Sequence, residues 1–498
     1  MRVGHAQLDG SLPVERTIPG PHRCGSPEMD PPRHRSRCQL SGAVAGSRYP
    51  VPVLFRLGEE LGEEPGEEPV GTRKVSTVLD RLGRPHTLVT GYEQVREVLA
   101  DPDTYRPDNA LDAVTPVPVP ALRVLARYGF RLPPTLANNG GLSHPALREI
   151  TARALHPDRV RAQRPWLESV VAQRISGLAA RLDDGEPVDL YADLAADLPL
   201  LVLARLVELP EADVLVVKEF SRAALELFWA PLDAQHQRRL AETVGRYHAV
   251  LRDFAATAGG LVGELRDYTT RHGLAPDVPV AALFFLLVAG QETTSQFLTL
   301  LLHRLIQEPA VLHSLSTMDI SWAGTRAGPA GRRLSVTDVV EEGLRLVPPI
   351  VTWRRVAARR TELGGVPVPC GGSVVLWLAQ AGRDPALTAA PDEFRPAQRG
   401  SRRHLAFGAG AHRCLGAQLA RMEAAVVVEQ TAPLLRNVEV VRAPWCPDNL
   451  SFRMPDALVI RASATFPASA TLPASAVVGP RHRPGAAGPG RPARTAAD

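Results

Sequence analysis

From Val280 to Val288 the chain runs Val-Ala-Ala-Leu-Phe-Phe-Leu-Leu-Val, apolar on every face of a helix, so this segment must pass through the interior of the fold. Asp277 followed by Pro279 marks its start. The same helix continues through Ala289-Gly290-Gln291-Glu292-Thr293-Thr294. A carboxylate and a hydroxyl on so apolar a helix cost stability, and such breaches of pattern are expected where function requires them. Ala289 and Thr293 are four apart and share a face, so a small side chain leaves space beside a hydroxyl. From these residues alone, Thr293 bonding back to its own helix and Glu292 joining a surface ion pair remain open.

Around that core helix the pattern is mostly helical: Thr90–Leu99, Leu147–Leu155, Asp193–Val207 and Val336–Leu346 place apolar residues at helical spacing. Strand patterns are short: Thr87–Val89, Val366–Val368 and Ser373–Trp377 on either side of Gly371-Gly372, and Ala457–Ile460. The expected fold class is mainly α with small peripheral β-sheets (α+β), without the strand–helix alternation of a doubly wound sheet. Hydrophobic residues at 45% and charged residues at 22% match a globular chain. Residues 1–47 and 463–498 are rich in Pro, Gly, Arg and Ala without apolar periodicity, and read as disordered tails around one catalytic domain, 48–462. Ile320–Arg333 reads as a Gly/Arg-rich surface loop.

The chemistry concentrates in Phe407-Gly408-Ala409-Gly410-Ala411-His412-Arg413-Cys414-Leu415-Gly416, followed at once by the helical pattern Ala417–Glu423. Glycines before a cysteine permit tight turns and close approach of amide N–H groups. A helix N-terminus favours a thiolate through its dipole and unpaired donors. The segment is suited to holding one anionic sulfur. The five cysteines include no CxxC pair, which argues against a disulfide framework or a structural zinc site.

At every position this segment meets the F-x-x-G-x-H/R-x-C-x-G pattern, and in this it resembles the ligand loop of the cytochrome P450 monooxygenases. The resemblance implies the cytochrome P450 fold and haem b (iron protoporphyrin IX), with Cys414 as the iron ligand and Phe407, Gly408, His412 and Gly416 beside the cofactor. Ala289-Gly290-Gln291-Glu292-Thr293 is similar to the family's distal A/G-G-x-D/E-T segment. Ala289 and Gly290 would then face the cofactor, and Glu292 and Thr293 would serve proton delivery as catalytic residues. Glu342-Gly343-Leu344-Arg345, 72 residues before Cys414 and followed by Pro348-Pro349, resembles the family's E-x-x-R helix. Arg399 is the expected third member of that network. His144 and Arg148 have the family's H-x-x-x-R spacing, and with Arg355 and His412 they are the expected contacts of the haem propionates. The likeness extends from about Tyr49 to about Arg461.

The activity this implies is insertion of one oxygen atom from O2 into a mostly apolar organic substrate, by hydroxylation or epoxidation, in secondary metabolism. A ferredoxin or flavodoxin with its NAD(P)H-dependent reductase would supply electrons, and Arg402, Arg403, Arg413 and Arg421 would offer it a positive face. The alternatives are a peroxide-using or oxidative-coupling enzyme of the same chemistry, and a catalytically silent haem-binding member. A net charge of +4 is too small to suggest a nucleic-acid partner. No run approaches the ~20 uninterrupted apolar residues of a membrane span, and the start shows no signal-peptide pattern. The expectation is a cytoplasmic monomer.

Overall fold

A computed structural model describes residues 55–56, 74–80, 82–209, 214–316 and 334–463. The tail expected at 1–47, that expected at 463–498 except Ser463, and the loop from Ile320 to Arg333 lie outside the described residues. Helices dominate: α1 (Tyr92–Ala100), α2 (Val119–Arg127), α3 (His144–Ala154), α4 (Pro157–Ala162), α5 (Arg164–Asp183), α6 (Leu198–Val207), α7 (Val214–Trp229) and α8 (Ala234–Thr257) come first. They are followed by α9 (Gly260–Arg271), α10 (Val278–Leu287), α11 (Thr293–Ile306), α12 (Pro309–Ser316), α13 (Val336–Leu346), α14 (Leu378–Ala381) and α15 (Ala417–Leu435).

The strands are β1 (Phe55–Arg56), β2 (Val75–Asp80), β3 (Pro85–Val89), β4 (Tyr105–Arg106), β5 (Val188–Asp189), β6 (Thr352–Ala357), β7 (Thr361–Leu363), β8 (Val366–Val368), β9 (Ser373–Trp377), β10 (Val438–Arg442) and β11 (Val459–Ala462). One sheet has the order β1-β2-β3-β9-β6-β4, a second β10-β11-β5, and β7-β8 form a hairpin. In the first sheet β3 and β9 run parallel, with Leu88 opposite Val375. Mainly helical with small sheets, this is the fold class expected.

The apolar segment is central. α10 and α11 form one continuous helix, Val278–Ile306, packed against α6, α7, α8, α9, α13 and α15. Its length and composition also satisfy those of a membrane span, but 67% of its apolar window is buried inside this fold. Pro279 sits in its first turn as expected, whereas the Asp277 side chain makes no capping bond. Between α10 and α11 lies a π turn, Val288–Glu292, the kind of widening that collects at functional sites. The helix expected over Asp193–Val207 is split into a π turn at Tyr191–Ala195 and α6, which restarts at Leu198 with Pro199, a residue with no N–H to continue a helix, in its first turn.

α13 begins with a capping box, the Ser335 hydroxyl accepting from Asp338 N and the Asp338 carboxylate from Ser335 N. Its other end carries the E-x-x-R pair, and both Glu342 and Arg345 are fully buried. Arg345 Nε donates to Glu342 Oε2 at 2.9 Å and Nη2 to Oε1 at 2.8 Å. The remaining guanidinium donors reach the carbonyls of Gly382, Pro391 and Glu393 at 3.0, 2.6 and 2.9 Å. Glu342 in turn accepts from Arg395 N, Gln398 Nε2 and Ser401 Oγ at 2.9, 2.6 and 2.6 Å. Every charged atom is satisfied, and the segment from Gly382 to Ser401 is wrapped around one ion pair. Arg399, expected in this network, is instead exposed, and Gln398 and Ser401 flanking it reach Glu342.

Arg345→Leu leaves Glu342 buried without its counter-charge, which costs about 3–5 kcal/mol. The solvent-exposed i,i+3 pair Glu93–Arg96 gives the comparison, since Arg96→Leu should cost no more than about 1 kcal/mol. Denaturant midpoints of the two variants measure this, and equal midpoints would contradict a structural role for Arg345.

Candidate active site

A large cavity lies between the core helix and the segment Phe407–Gly416. Ala289, Gly290, Thr293 and Thr294 line one side, and Phe407, Gly408, His412, Cys414 and Gly416 the other, with Arg148 and Arg355 also on its wall. The structure therefore gathers nearly all the residues singled out in the sequence around one space. His144 stands behind the wall, its ring 4.1 Å from that of His412. Glu292 is set apart and does not line the cavity.

The cysteine loop is built on backbone. Gly408 and Gly410 take φ of +63° and +68°, a region only glycine enters freely. At Gly410 a Cβ would also come within 2.3 Å of the Leu99 carbonyl oxygen, where α1 ends against the loop. Cys414 N donates to the Phe407 carbonyl at 2.9 Å, closing the loop, and α15 starts three residues later. The accessible surface of Cys414 belongs to the cavity wall, and the thiol otherwise sits deep in the protein. Burial pushes its pKa up, while the Gly416 N–H and the charges of Arg148, Arg421 and Arg413 act to lower it. The donors expected to favour a thiolate are present, but in the protein alone burial outweighs them. A cation beside the sulfur would reverse the balance.

The cationic rim is under-neutralised. Arg355 is buried, its Nη1 donates to the Arg354 carbonyl at 2.8 Å, and among the described residues no carboxylate pairs with it. Burial alone brings its pKa down to about 10. Arg148 bonds the Arg413 carbonyl and is likewise shifted down by burial. His412 Nδ1 meets the Leu136 carbonyl at 3.1 Å, and burial, followed by the charges of His144, Arg355 and Arg148, pushes it down to about 4. Burial and Arg148 also lower His144, whose buried Nε2 has no partner. One imidazole and two arginines thus line the cavity, with the His144 imidazole behind them and no carboxylate among them.

On the opposite wall, Thr293 Oγ1 donates to the Ala289 carbonyl at 2.6 Å, across the π turn. Glu292 is fully buried and forms an ion pair of 2.6 Å with Lys218 Nζ from α7. Gln291 and Gln296 each donate to its carboxylate at 3.2 Å. The two residues are adjacent in sequence but turned to different sides, Thr293 to the cavity and Glu292 to Lys218. That partner was not anticipated, although Lys218 is one of only two lysines in the chain and interrupts an apolar helix face.

A second carboxylate next to the E-x-x-R pair supports the cysteine loop. Glu341 accepts from Arg421 Nε and Nη2 at 2.5 and 3.0 Å and bonds His404 Nε2 at 3.0 Å. The Arg421 guanidinium lies 4.5 Å from the Phe407 ring centroid. Arg421 is therefore turned inward, and Arg402 and Arg403 pair with Asp338 and Glu93. The positive face expected from these arginines is smaller than their number suggests.

The sequence pattern of the Cytochrome P450 family matches residues 267–442. The chain is 31% identical over 297 residues to the erythromycin C-12 hydroxylase of Saccharopolyspora erythraea, covering 58% of this chain and 69% of that enzyme. It is 30% identical over 308 residues to the cyclomarin C epoxidase CymV of Salinispora arenicola, covering 60% and 73%. Among solved structures, cytochrome P450 CREJ in complex with (4-ethylphenyl) dihydrogen phosphate superposes with a TM-score of 0.70 at 26% identity, over 79% of this chain and 94% of that one. The fold and the cysteine-walled cavity place the chain among P450-type proteins. The chain belongs to the cytochrome P450 family and is a cytochrome P450 monooxygenase. The family implies a haem, and the residues present fit one. The orphaned His144 Nε2 and the unneutralised Arg355 call for an anionic group at one end of the cavity, and Cys414 offers a soft ligand at its wall.

Glu341 generates a pH prediction. Burial raises its pKa, but hydrogen bonds from His404 and Arg421 and the charges of both outweigh this and bring it from 4.5 to about 2. A depressed carboxylate stabilises the fold above its unfolded pKa and loses that contribution as pH falls through the folded value. Stability contributed by Glu341, of order 3 kcal/mol at most, should therefore disappear between about pH 4.5 and 2. Unfolding free energies measured across that window for the parent and Glu341→Gln should converge at the acid end, and curves that stay parallel would exclude this role.

Proposed function

We propose that this cytochrome P450 would hold haem b in the cavity, with Cys414 as the ligand to its iron. There it inserts one oxygen atom from O2 into a mostly apolar substrate by hydroxylation or epoxidation. The observation that carries this reading is the placement of one cysteine sulfur and a set of anion-lacking cations on the walls of a single large apolar cavity. Bound there, the haem supplies a redox-active iron for dioxygen activation, with the thiolate pushing electron density toward it.

His144, Arg148, Arg355 and His412 would hold the propionates. The arginines supply charge, and His412, whose Nδ1–H is committed to the Leu136 carbonyl, would donate through Nε2 once an anion beside it favours the protonated ring. Phe407, Gly408 and Gly416 would shape the sulfur side, and Ala289 and Gly290 would leave room on the other face. Thr293 Oγ1 would hold and pass a proton at the cavity wall. Glu292 is held in its ion pair with Lys218, so the pair must part before Glu292 can reach toward Thr293.

An apolar substrate is supported by Leu203, Ala282, Phe285, Leu286, Ile350 and Trp353, which also line the cavity. Hydroxylation or epoxidation within secondary metabolism is supported by the similarity to a hydroxylase of erythromycin and an epoxidase of cyclomarin C. Electrons would come from a ferredoxin or flavodoxin with its NAD(P)H-dependent reductase, docking near the exposed Arg413. The residues of this chemistry all fall within 48–462, proposed as the catalytic domain.

The reduced, CO-treated protein should show the long-wavelength Soret band of a thiolate-ligated haem, and Cys414→Ser should lose it. A difference spectrum measures this. Absence of the band in the parent, or its persistence in Cys414→Ser, would overturn the assignment.

A further inference from the structure

On one side β6 pairs with β9 over Thr352–Val356, but on the other β4 stays for two residues only, Tyr105 opposite Ala357 and Arg106 opposite Val356. Pro107 comes next and has no N–H to extend the ladder. From there to α2 the chain has no helix or strand, and side chains take over from backbone pairing. Asn109 Nδ2 donates to the Arg355 carbonyl at 2.9 Å, and Arg354 Nη2 donates to the carbonyls of Ala110 and Asp112 at 3.2 and 2.5 Å. Arg84 Nη2 reaches the Val114 carbonyl at 3.2 Å.

The far end of this strap is tied to the helices. Val114 N donates to the Phe228 carbonyl at 3.0 Å, Thr115 Oγ1 to that of Ala230 at 3.4 Å, and Gln237 Nε2 to those of Thr115 and Pro116 at 3.1 and 3.4 Å. The anchors therefore flank two stacked tryptophans, Trp353 on β6 and Trp229 on α7, with ring centroids 6.3 Å apart. Trp353 lines the cavity, as does Arg355, while Arg354 between them is turned to the opposite face of the strand. Arg354 is buried, forms no ion pair among the described residues, and its buried Nε has no partner. Burying a cation on carbonyls alone costs stability, so an aliphatic residue would suit the position better if packing were its only role. What the guanidinium provides is a grip that can be released: side-chain bonds to the strap can be given up while β6 keeps its ladder with β9.

We propose that Arg354 is a positioning residue that latches the strap Asn109–Pro116 across the two tryptophans, and that its release opens the Trp353 side of the cavity to a ligand. Leu111, buried in the same apolar cluster as Trp229, seats the closed strap, and Asp112 on its outer side is exposed. The opening rests on the reading of the cavity as the haem and substrate site, whereas the latch stands on its own bonds.

Hydrogen exchange of the full chain, read by mass spectrometry, tests the latch. In Arg354→Met the peptide spanning 109–116 should exchange at least about tenfold faster, as expected for lost bonds from a charged donor, while β9 keeps its protection. Arg84→Met, which removes only the Val114 bond, should shift the same peptide less, and it decides the matter if Arg354→Met does not fold. Unchanged exchange in 109–116 overturns the proposal. Stopped-flow binding of 4-phenylimidazole to the haem-loaded protein tests the opening. Arg354→Met should raise the association and dissociation rates together, each about tenfold, and leave Kd within about twofold, with Arg354→Lys in between. Rates that stay at the parent values overturn the proposal, as does a change in Kd with an unchanged association rate. A chain that takes up no haem would sink the haem reading, while the exchange of 109–116 still judges Arg354.

Discussion

The buried pair between Glu342 and Arg345 is the interaction on which the remainder depends. Neither residue reaches solvent, and together they engage three carbonyls, one amide and two side chains from the stretch Gly382–Ser401. That stretch has little regular structure of its own, so without the pair its backbone groups would lack partners in the interior. It leads directly into the cysteine loop. The position of Cys414 is thus fixed from behind by an ion pair that never touches the cavity, and from the side by Glu341, which locks Arg421 over Phe407. Such pairs contribute little net stability when fully formed, but they allow few alternative arrangements.

The front of the cavity follows the opposite rule. Behind the loop Glu341, Glu342, Arg345 and Arg421 are all paired, whereas at the rim the buried His144 Nε2 has no partner and Arg355 has no counter-charge among the described residues. A ligand with an anionic group would complete them. The same contrast explains why burial governs the shifts there. Arg355, His412 and Cys414 are all pushed toward their neutral forms by burial, and an anion at one end with a cation at the sulfur would restore charge to all three.

Much of this was legible in the sequence. The all-apolar run before Ala289 required a core helix, and the breaches of that run marked the cavity wall; the glycines before Cys414 announced a loop that only glycine can form. What was not legible came from long-range pairing. Nothing local tells that Lys218, 74 positions before Glu292, would be its counter-ion. Spacing favoured Arg399 for the E-x-x-R network, but the positive φ of Ala397 and Gly400 re-aims the chain so that Gln398 and Ser401 point inward. The split of the helix at Pro199 was available from the residue itself and was passed over for the apolar period.

The π turn at Val288–Glu292 connects these threads. An extra residue in one turn shifts the register of everything after it, so an uninterrupted α-helix would not place Glu292, Thr293 and Thr294 as they stand. With the turn, three adjacent polar residues are placed differently: Glu292 pairs with Lys218, Thr293 bonds its own backbone at the cavity wall, and Thr294 lines the cavity. A helix chosen for burial alone would contain none of the three, and their cost is offset by the apolar run that precedes them.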